Sequence, residues 1–274
     1  MRAMNPLRWL LLCLVVLCAT APEAMAQEDH RLLICIPGGP GSSAEVVERL
    51  EVFLKAFGES LGTPVTGEYH TRLAECDRYL SESRPSLVLY PLDLFLLRRT
   101  SQKLTALAEP VRTGPARGVS RYHLVTASDV PVSEWSNGLL MSPHVRNVDF
   151  FTRVVFPGSL DFSAIQLKQT GSAMRALKHL KKGKALSVVL DESEHLAMAG
   201  LAFAQGFKTV LSSDALPHSP IAAIGGNSRF RKRASLALTG LCARDSEACR
   251  ALEIQTIRPV NARTYHAVLK RWSR

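Results

Sequence analysis

No Cys-x-x-Cys pair and no His-x-x-x-His spacing occurs among the six cysteines and eight histidines. A ready zinc or dithiol redox motif is therefore missing, and no metal site or cofactor is expected. G-x-S-x-G is also absent, since Gly41-Ser42-Ser43-Ala44-Glu45 lacks the closing glycine, so no nucleophile elbow is present. Aromatic residues make up only 7 % of the chain, and none interleave with the basic runs Lys178–Lys184 and Arg229–Arg233. A stacking platform for single-stranded nucleic acid is thereby excluded, and both runs read as solvated faces. Repeats and low-complexity tracts are lacking. The apolar run Trp9–Ala19 is too short for a membrane span, and no other run is long and apolar enough to cross a bilayer.

That first run does carry information. Arg2 and Arg8 precede it, and Ala24-Met25-Ala26 follows, the pattern of a secretory signal over residues 1–26 with cleavage after Ala26. The expected mature chain starts at Gln27, lies in the periplasm or is secreted, and keeps nine of the ten excess positive charges. About 250 residues suffice for one large domain or two smaller ones. Four cysteines remain. Cys242 and Cys249 flank the short polar loop ARDSEA and form the preferred disulfide of an exported protein. Cys35, in an apolar run, is left open between a bridge and a buried thiol, and its pairing with Cys76 is not decided.

Short apolar strands alternate with helical patterns along the chain. Leu32–Ile36, Val65–Tyr69 and Ser86–Tyr90 read as strands, with helices between them at helical spacing of Val46, Val47, Leu50, Phe53, Leu54 and Phe57, and at Arg72–Leu80. Ser42 with Glu45 forms a capping box for the first helix, and Gly58 and Gly62 end it. After the breaker-rich Thr113–Gly118 a second block repeats the alternation: strands at 120–127, 138–141, 164–169, 186–190 and 207–211, and helices at 147–156, 172–181 and 192–198. Two prolines in Ala215–Pro220 mark the return. Ile221–Ile224 is a further strand, and the remainder reads as mostly helical. The pattern predicts an α/β fold with mostly parallel sheets flanked by helices, in two lobes. Lobe 1 comprises residues 27–117 plus 216–274, lobe 2 residues 118–215, and each lobe is expected to have its own core.

Glycine-rich Cys35–Ala44 fails as a Walker loop, because no lysine follows Gly41 before Lys55. It fails as a dinucleotide fingerprint because no acidic residue closes the next strand at the required distance. What survives is a helix start whose free amides, with Ser42 and Ser43, suit an anion. Ser142, His144, Arg146 and Asn147 form a second such turn, and Thr170 with Ser172 a third. Each is also explained by a capped turn without a ligand. Asp191, Glu192, Glu194 and His195 form the densest acid–histidine group, and its bland reading is an i,i+4 surface pair of Asp191 and His195.

Four stretches carry a resemblance: SLVLYPLDLFLL, GVSRYHLVTASDVPVSEWSNGLLMSPHVRNVDFF, LKQTGSAMRALKHLKKGKALSVVLDESEHLAM and SPIAAIG. Their order resembles the phosphonate-binding family of periplasmic solute-binding proteins, the two-lobed capture components of ABC importers. The resemblance covers most of residues 30–270. It implies a type 2 periplasmic-binding fold, no catalysis, and a small, anionic, phosphate- or phosphonate-like ligand in an inter-lobe cleft. It also implies Tyr90, Asp93 and Asp191 facing that cleft, with Asp93 suited to an amine, and a monomer partnered by an inner-membrane permease. SPHVRN stands where the family carries a serine-, threonine- and glycine-rich ligand turn. An exported enzyme, or a ligand-free interaction or sensor domain on the same scaffold, is the alternative.

Overall fold

Residues 29–39, 43–114, 116, 120–127, 129, 131, 138–144, 147–159 and 165–273 are described in the computed structural model, except the side chains of 43–45. The predicted signal, Ser42 and its capping box, the Ser43 side chain and Arg146 lie outside the described residues.

The first strand shows how the sheet is covered. β1 (His30–Cys35) has Leu32, Leu33 and Cys35 at zero exposure and Ile34 at 6 %. Leu32 and Ile34 enter one apolar cluster and Leu33 and Cys35 another, so successive side chains serve opposite faces. A strand buried on both faces reads as a continuous apolar run, as this one does. α1 (Ser43–Leu61) packs beside β2 (Val65–His70). It ends where the Gly62 amide bonds Glu59 and the Thr63 amide reaches Gly58, with Gly62 at φ 76°, a conformation glycine adopts without cost. α2 (Leu73–Ser83), β3 (Leu87–Leu89), α3 (Leu92–Arg98) and β4 (Leu104–Arg112) follow.

The chain then builds a second sheet. Its elements are β5 (Tyr122–Thr126), β6 (Leu139–Ser142), α4 (Val148–Phe150, continued by a π-helical turn Phe151–Val155), β7 (Gln166–Gln169), α5 (Ala173–Lys181), β8 (Ser187–Asp191), α6 (Glu192–Met198) and β9 (Lys208–Ser212). On returning it adds β10 (Ile221–Ile224), α7 (Ser228–Thr239), α8 (Leu241–Arg244), α9 (Ser246–Ala251), β11 (Ile254–Pro259) and α10 (Ala262–Trp272).

Strand order is β11-β4-β10-β3-β1-β2 in one sheet and β7-β6-β8-β5-β9 in the other. The α/β class stands, and most strands of each sheet run one way. Reversed β10 and β5 sit inside the sheets and reversed β11 at an edge, however, so five of the nine pairings are antiparallel and the sheets are mixed. Reversed β5 and β10 are the strands the chain enters after passing from one sheet to the other. The two passages bond each other, Ser213 N to Tyr122 O at 2.9 Å and Leu216 N to Ser120 O at 2.8 Å.

One apolar cluster belongs to the first sheet and α1, α7 and α9, and a second to the far face of the other sheet and α5. A third draws on both sheets, joining Leu33, Val88 and Phe95 to Leu124, Leu140, Phe150 and Val189. The core is thus shared between the halves, because α10 packs on the π-helical turn after α4. β11 corrects the helical reading of the C-terminal block. Cys242 and Cys249 are bridged as expected, and Cys35 is bridged to Cys76, clipping the end of β1 to α2.

Candidate functional site

Parallel strands deliver their following residues to one edge of a sheet, where loops rather than core fill the space. β6 and β8 are parallel neighbours, and their carboxyl ends are Ser142 and Asp191. The buried Ser142 hydroxyl accepts the His144 amide at 3.1 Å and so bends the loop after β6. Asp191 ends β8 in an extended conformation and caps α6. Its Oδ1 accepts the Glu194 amide at 2.8 Å, and Glu194 Oε2 accepts the Asp191 amide at 3.1 Å, a complete capping box.

The two features meet. His144 Nε2 lies 2.7 Å from Glu194 Oε2 and 3.5 Å from Asp191 Oδ2. The edge of the Tyr122 ring borders the imidazole, with centroids 6.1 Å apart. The third carboxylate comes from the other sheet: Asp93, in the first turn of α3 after β3, is 4 % exposed and close enough for its charge to act on His144. Burial disfavours the charged imidazole. The Glu194 hydrogen bond and the charges of Glu194, Asp191 and Asp93 outweigh it and raise His144 above the ordinary histidine value. One ligand atom each from His144, Asp191 and Glu194 lies within 4.8 Å of the others, a set able to hold a cation.

Of the residues singled out in the sequence, the structure brings Asp93, His144 and Asp191 together, with Ser142 supporting the loop. Asn147 accepts the Asp149 amide at 2.8 Å and starts α4. Ser172 accepts the Arg175 amide at 3.3 Å and starts α5, while the Thr170 hydroxyl donates to the Ser172 carbonyl at 3.1 Å. Tyr90 is fully buried, its hydroxyl donating to Gln102 Oε1 at 3.1 Å and its ring facing the Arg98 guanidinium. Burial first, against the pull of Arg98, raises its phenol.

The i,i+4 pairing of Asp191 with His195 does not form. Asp191 lies outside the helix as its cap, and His195 stacks on His123 with ring centroids 3.9 Å apart and bonds Thr209 at 2.7 Å. Burial and the neighbouring His123 lower His195. Glu194 enters the sequence reading only as a member of the Asp191–His195 acid–histidine group, not as a ligand-facing residue. Its local signal was the spacing Asp191-x-x-Glu194 of a capping box, but nothing local points to His144, fifty residues away in the chain.

No protein-family model and no curated protein matches the sequence. Solved structures match over most of its length. The XAC2383 protein of Xanthomonas citri bound to ATP aligns with a TM-score of 0.66 at 14 % identity, over 89 % of this chain and 96 % of that one. A binding-protein component of an ABC phosphonate transporter from Pseudomonas aeruginosa gives 0.59 at 14 % identity, over 85 % and 82 %. PhnD1 from Prochlorococcus marinus in complex with methylphosphonate gives 0.59 at 10 % identity, over 89 % and 97 %. At these identities the likeness is one of fold alone: the chain has the two-sheet α/β, type 2 periplasmic-binding architecture of these structures. Among the described residues no helix is long and apolar enough to cross a membrane.

Proposed function

We propose that this chain is an exported solute-binding protein of an ABC-type uptake system, capturing a small phosphate- or phosphonate-like solute between two lobes, residues 27–117 with 216–274 and residues 118–215. One observation carries this reading. Asp93 from the first sheet and His144, Asp191 and Glu194 from the second converge where strands of both sheets end. A ligand gripped there contacts both halves, and only a ligand that binds the closed arrangement better can shift the population toward it. Two disulfides support passage through an oxidising compartment. The structural relatives support capture rather than catalysis, since two of them are components of phosphonate binding.

The site adds a condition on the solute. Three carboxylates surround one imidazole, so a bare anion is repelled there. The captured anion must arrive with a positive partner, either an amine of its own or a cation. The starts of α4, α5 and α6 are capped by Asn147, Ser172 and Asp191, so those side chains stand between the helix dipoles and an anion. The test is thermal unfolding of tag-free, EDTA-treated protein with phosphate, methylphosphonate and 2-aminoethylphosphonate, each with and without Zn²⁺. A true ligand raises the midpoint with concentration, by about 2.7 kcal/mol of stability at a hundredfold excess over Kd. If no member of the panel moves the midpoint in either condition, solute capture is wrong.

A further inference from the structure

We propose that His144, Asp191 and Glu194 form a divalent transition-metal site whose remaining coordination positions receive oxygens of the captured solute. This rests on the solute-binding reading and names the positive partner that reading requires. One imidazole nitrogen and two carboxylate oxygens suit Zn²⁺, Mn²⁺ or Co²⁺, and three protein ligands leave at least one position for an outside oxygen.

The geometry is near what such an ion needs. Tetrahedral coordination with bonds of ~2 Å sets donor atoms about 3.3 Å apart. Asp191 Oδ2 and His144 Nε2 are already 3.5 Å apart. Glu194 Oε2, at 2.7 Å from the same nitrogen, has to retreat by a fraction of an ångström.

The supports around the donors are built in. Asp191 spends Oδ1 on the Glu194 amide, which leaves Oδ2 turned to the ring. Glu194 is held by the Asp191 amide. The His144 backbone is held by Ser142. Hydrogen bonds of this kind orient first ligands and are worth 10- to 100-fold in metal affinity, on the order of what measured sites show. A dication held by these three ligands also offsets the charge of the two carboxylates, which explains how a phosphonate-like anion enters a site lined by acids in a chain that is otherwise basic.

The experiment is calorimetric titration of Zn²⁺ into tag-free, EDTA-stripped protein, together with the visible spectrum of the Co²⁺ form. We expect one ion per chain, a midpoint of unfolding raised by Zn²⁺ and restored by EDTA, and a Co²⁺ band with at least one nitrogen donor. H144A and E194Q alter ligands themselves and should weaken binding by at least the roughly 10- to 100-fold that loss of a mere orienting partner costs, while H266A, at an exposed histidine, leaves it unchanged. E194Q keeps an oxygen that can accept the Asp191 amide, so it serves if H144A fails to fold. Absence of stoichiometric binding, or binding unaffected by both H144A and E194Q, overturns the metal site. If 2-aminoethylphosphonate raises the midpoint of metal-free protein while Zn²⁺ does not bind, the metal site falls and solute capture stands. If Zn²⁺ binds at His144 but no solute adds to its effect, the metal ion site stands and phosphonate capture falls.

Discussion

A single oxygen of Glu194 serves two masters: it accepts the amide of Asp191 at 3.1 Å and lies 2.7 Å from Nε2 of His144. The helix start and the candidate site are therefore one structure. Changing the carboxylate of Glu194 changes the charge on His144, and removing its oxygen frees the first turn of α6. The two consequences are separable, because the first depends on charge and the second only on an acceptor.

E194Q and D191A separate them. The glutamine of E194Q retains an acceptor for the Asp191 amide, so stability should change by less than about 0.5 kcal/mol. Solute or cation affinity should fall about tenfold or more, since a charged contact is worth about 1.5–3 kcal/mol. D191A removes the cap itself, and loss of a cap costs about 1 kcal/mol. Urea unfolding and calorimetric titration on the same samples decide the matter. A loss of stability in E194Q equal to that in D191A would show that the charge of Glu194, and not its acceptor alone, supports the fold.

How much of this the sequence discloses varies with range. Glu192–Met198 and its cap at Asp191 are local, carried by a few neighbouring residues, and the reading of that helix matches the structure residue for residue. The Cys242–Cys249 bridge is equally local. β11 is misread for a physical reason. Ile254 and Ile257 are both buried, a spacing of three that imitates a helix, because the pairing with β4 shifts register between Ile254 and Thr256 and breaks the alternation of two. His144 is legible as a candidate, but its partners are set by tertiary geometry: Asp191 ends another strand, Glu194 follows it in α6, and Asp93 lies in α3 after a strand of the other sheet. The stack of His123 on His195 is hidden for the same reason.

The two disulfides should differ in value. Cys35–Cys76 closes a segment of 41 residues, and Cys242–Cys249 one of 7. Loop-closure entropy gives about 4 kcal/mol for the first and about 2.5 kcal/mol for the second. Cys35 and Cys76 also tie the end of β1, under the sheet edge that leads to the site, to α2. The double serine variant C35S/C76S is expected to unfold at lower denaturant than C242S/C249S. The opposite order would mean that native strain or residual unfolded structure controls these bridges.

Gly67 lies opposite Leu32 in the β1–β2 pairing, and a methyl group on it would sit 2.3 Å from the Leu32 carbonyl oxygen. That neighbour is backbone in the interior of a sheet and cannot yield alone. G67A should destabilise the protein by about 2 kcal/mol or more through displaced pairing. G206A, where a methyl meets nothing within 4 Å, should leave stability within about 0.5 kcal/mol of the original. Denaturant midpoints of the two variants give the comparison. A G67A protein as stable as G206A would show that β2 can slide along β1.

Tyr265 makes the pH dependence at the alkaline end. Its hydroxyl donates to the His218 carbonyl at 2.5 Å, bracing the chain's return passage against α10, and its ring meets Phe95 edge-on. Burial, and then the charge of Glu109, push its phenol well above the ordinary value of 10.0. The unfolded phenol ionises near that ordinary value, so the folded state binds more protons than the unfolded one above it. The contribution of a group with a raised folded pKa is therefore complete below pH 10 and lost as pH rises further. Y265F keeps the ring and drops the hydroxyl. At pH 8 it should be less stable by about 1 kcal/mol, the worth of one hydrogen bond. At pH 11 the original protein loses its advantage and the gap should narrow or close. Urea unfolding of both proteins at the two pH values reads this directly. A gap that is constant or wider at pH 11 would mean that the Tyr265 hydroxyl is not held protonated by the fold.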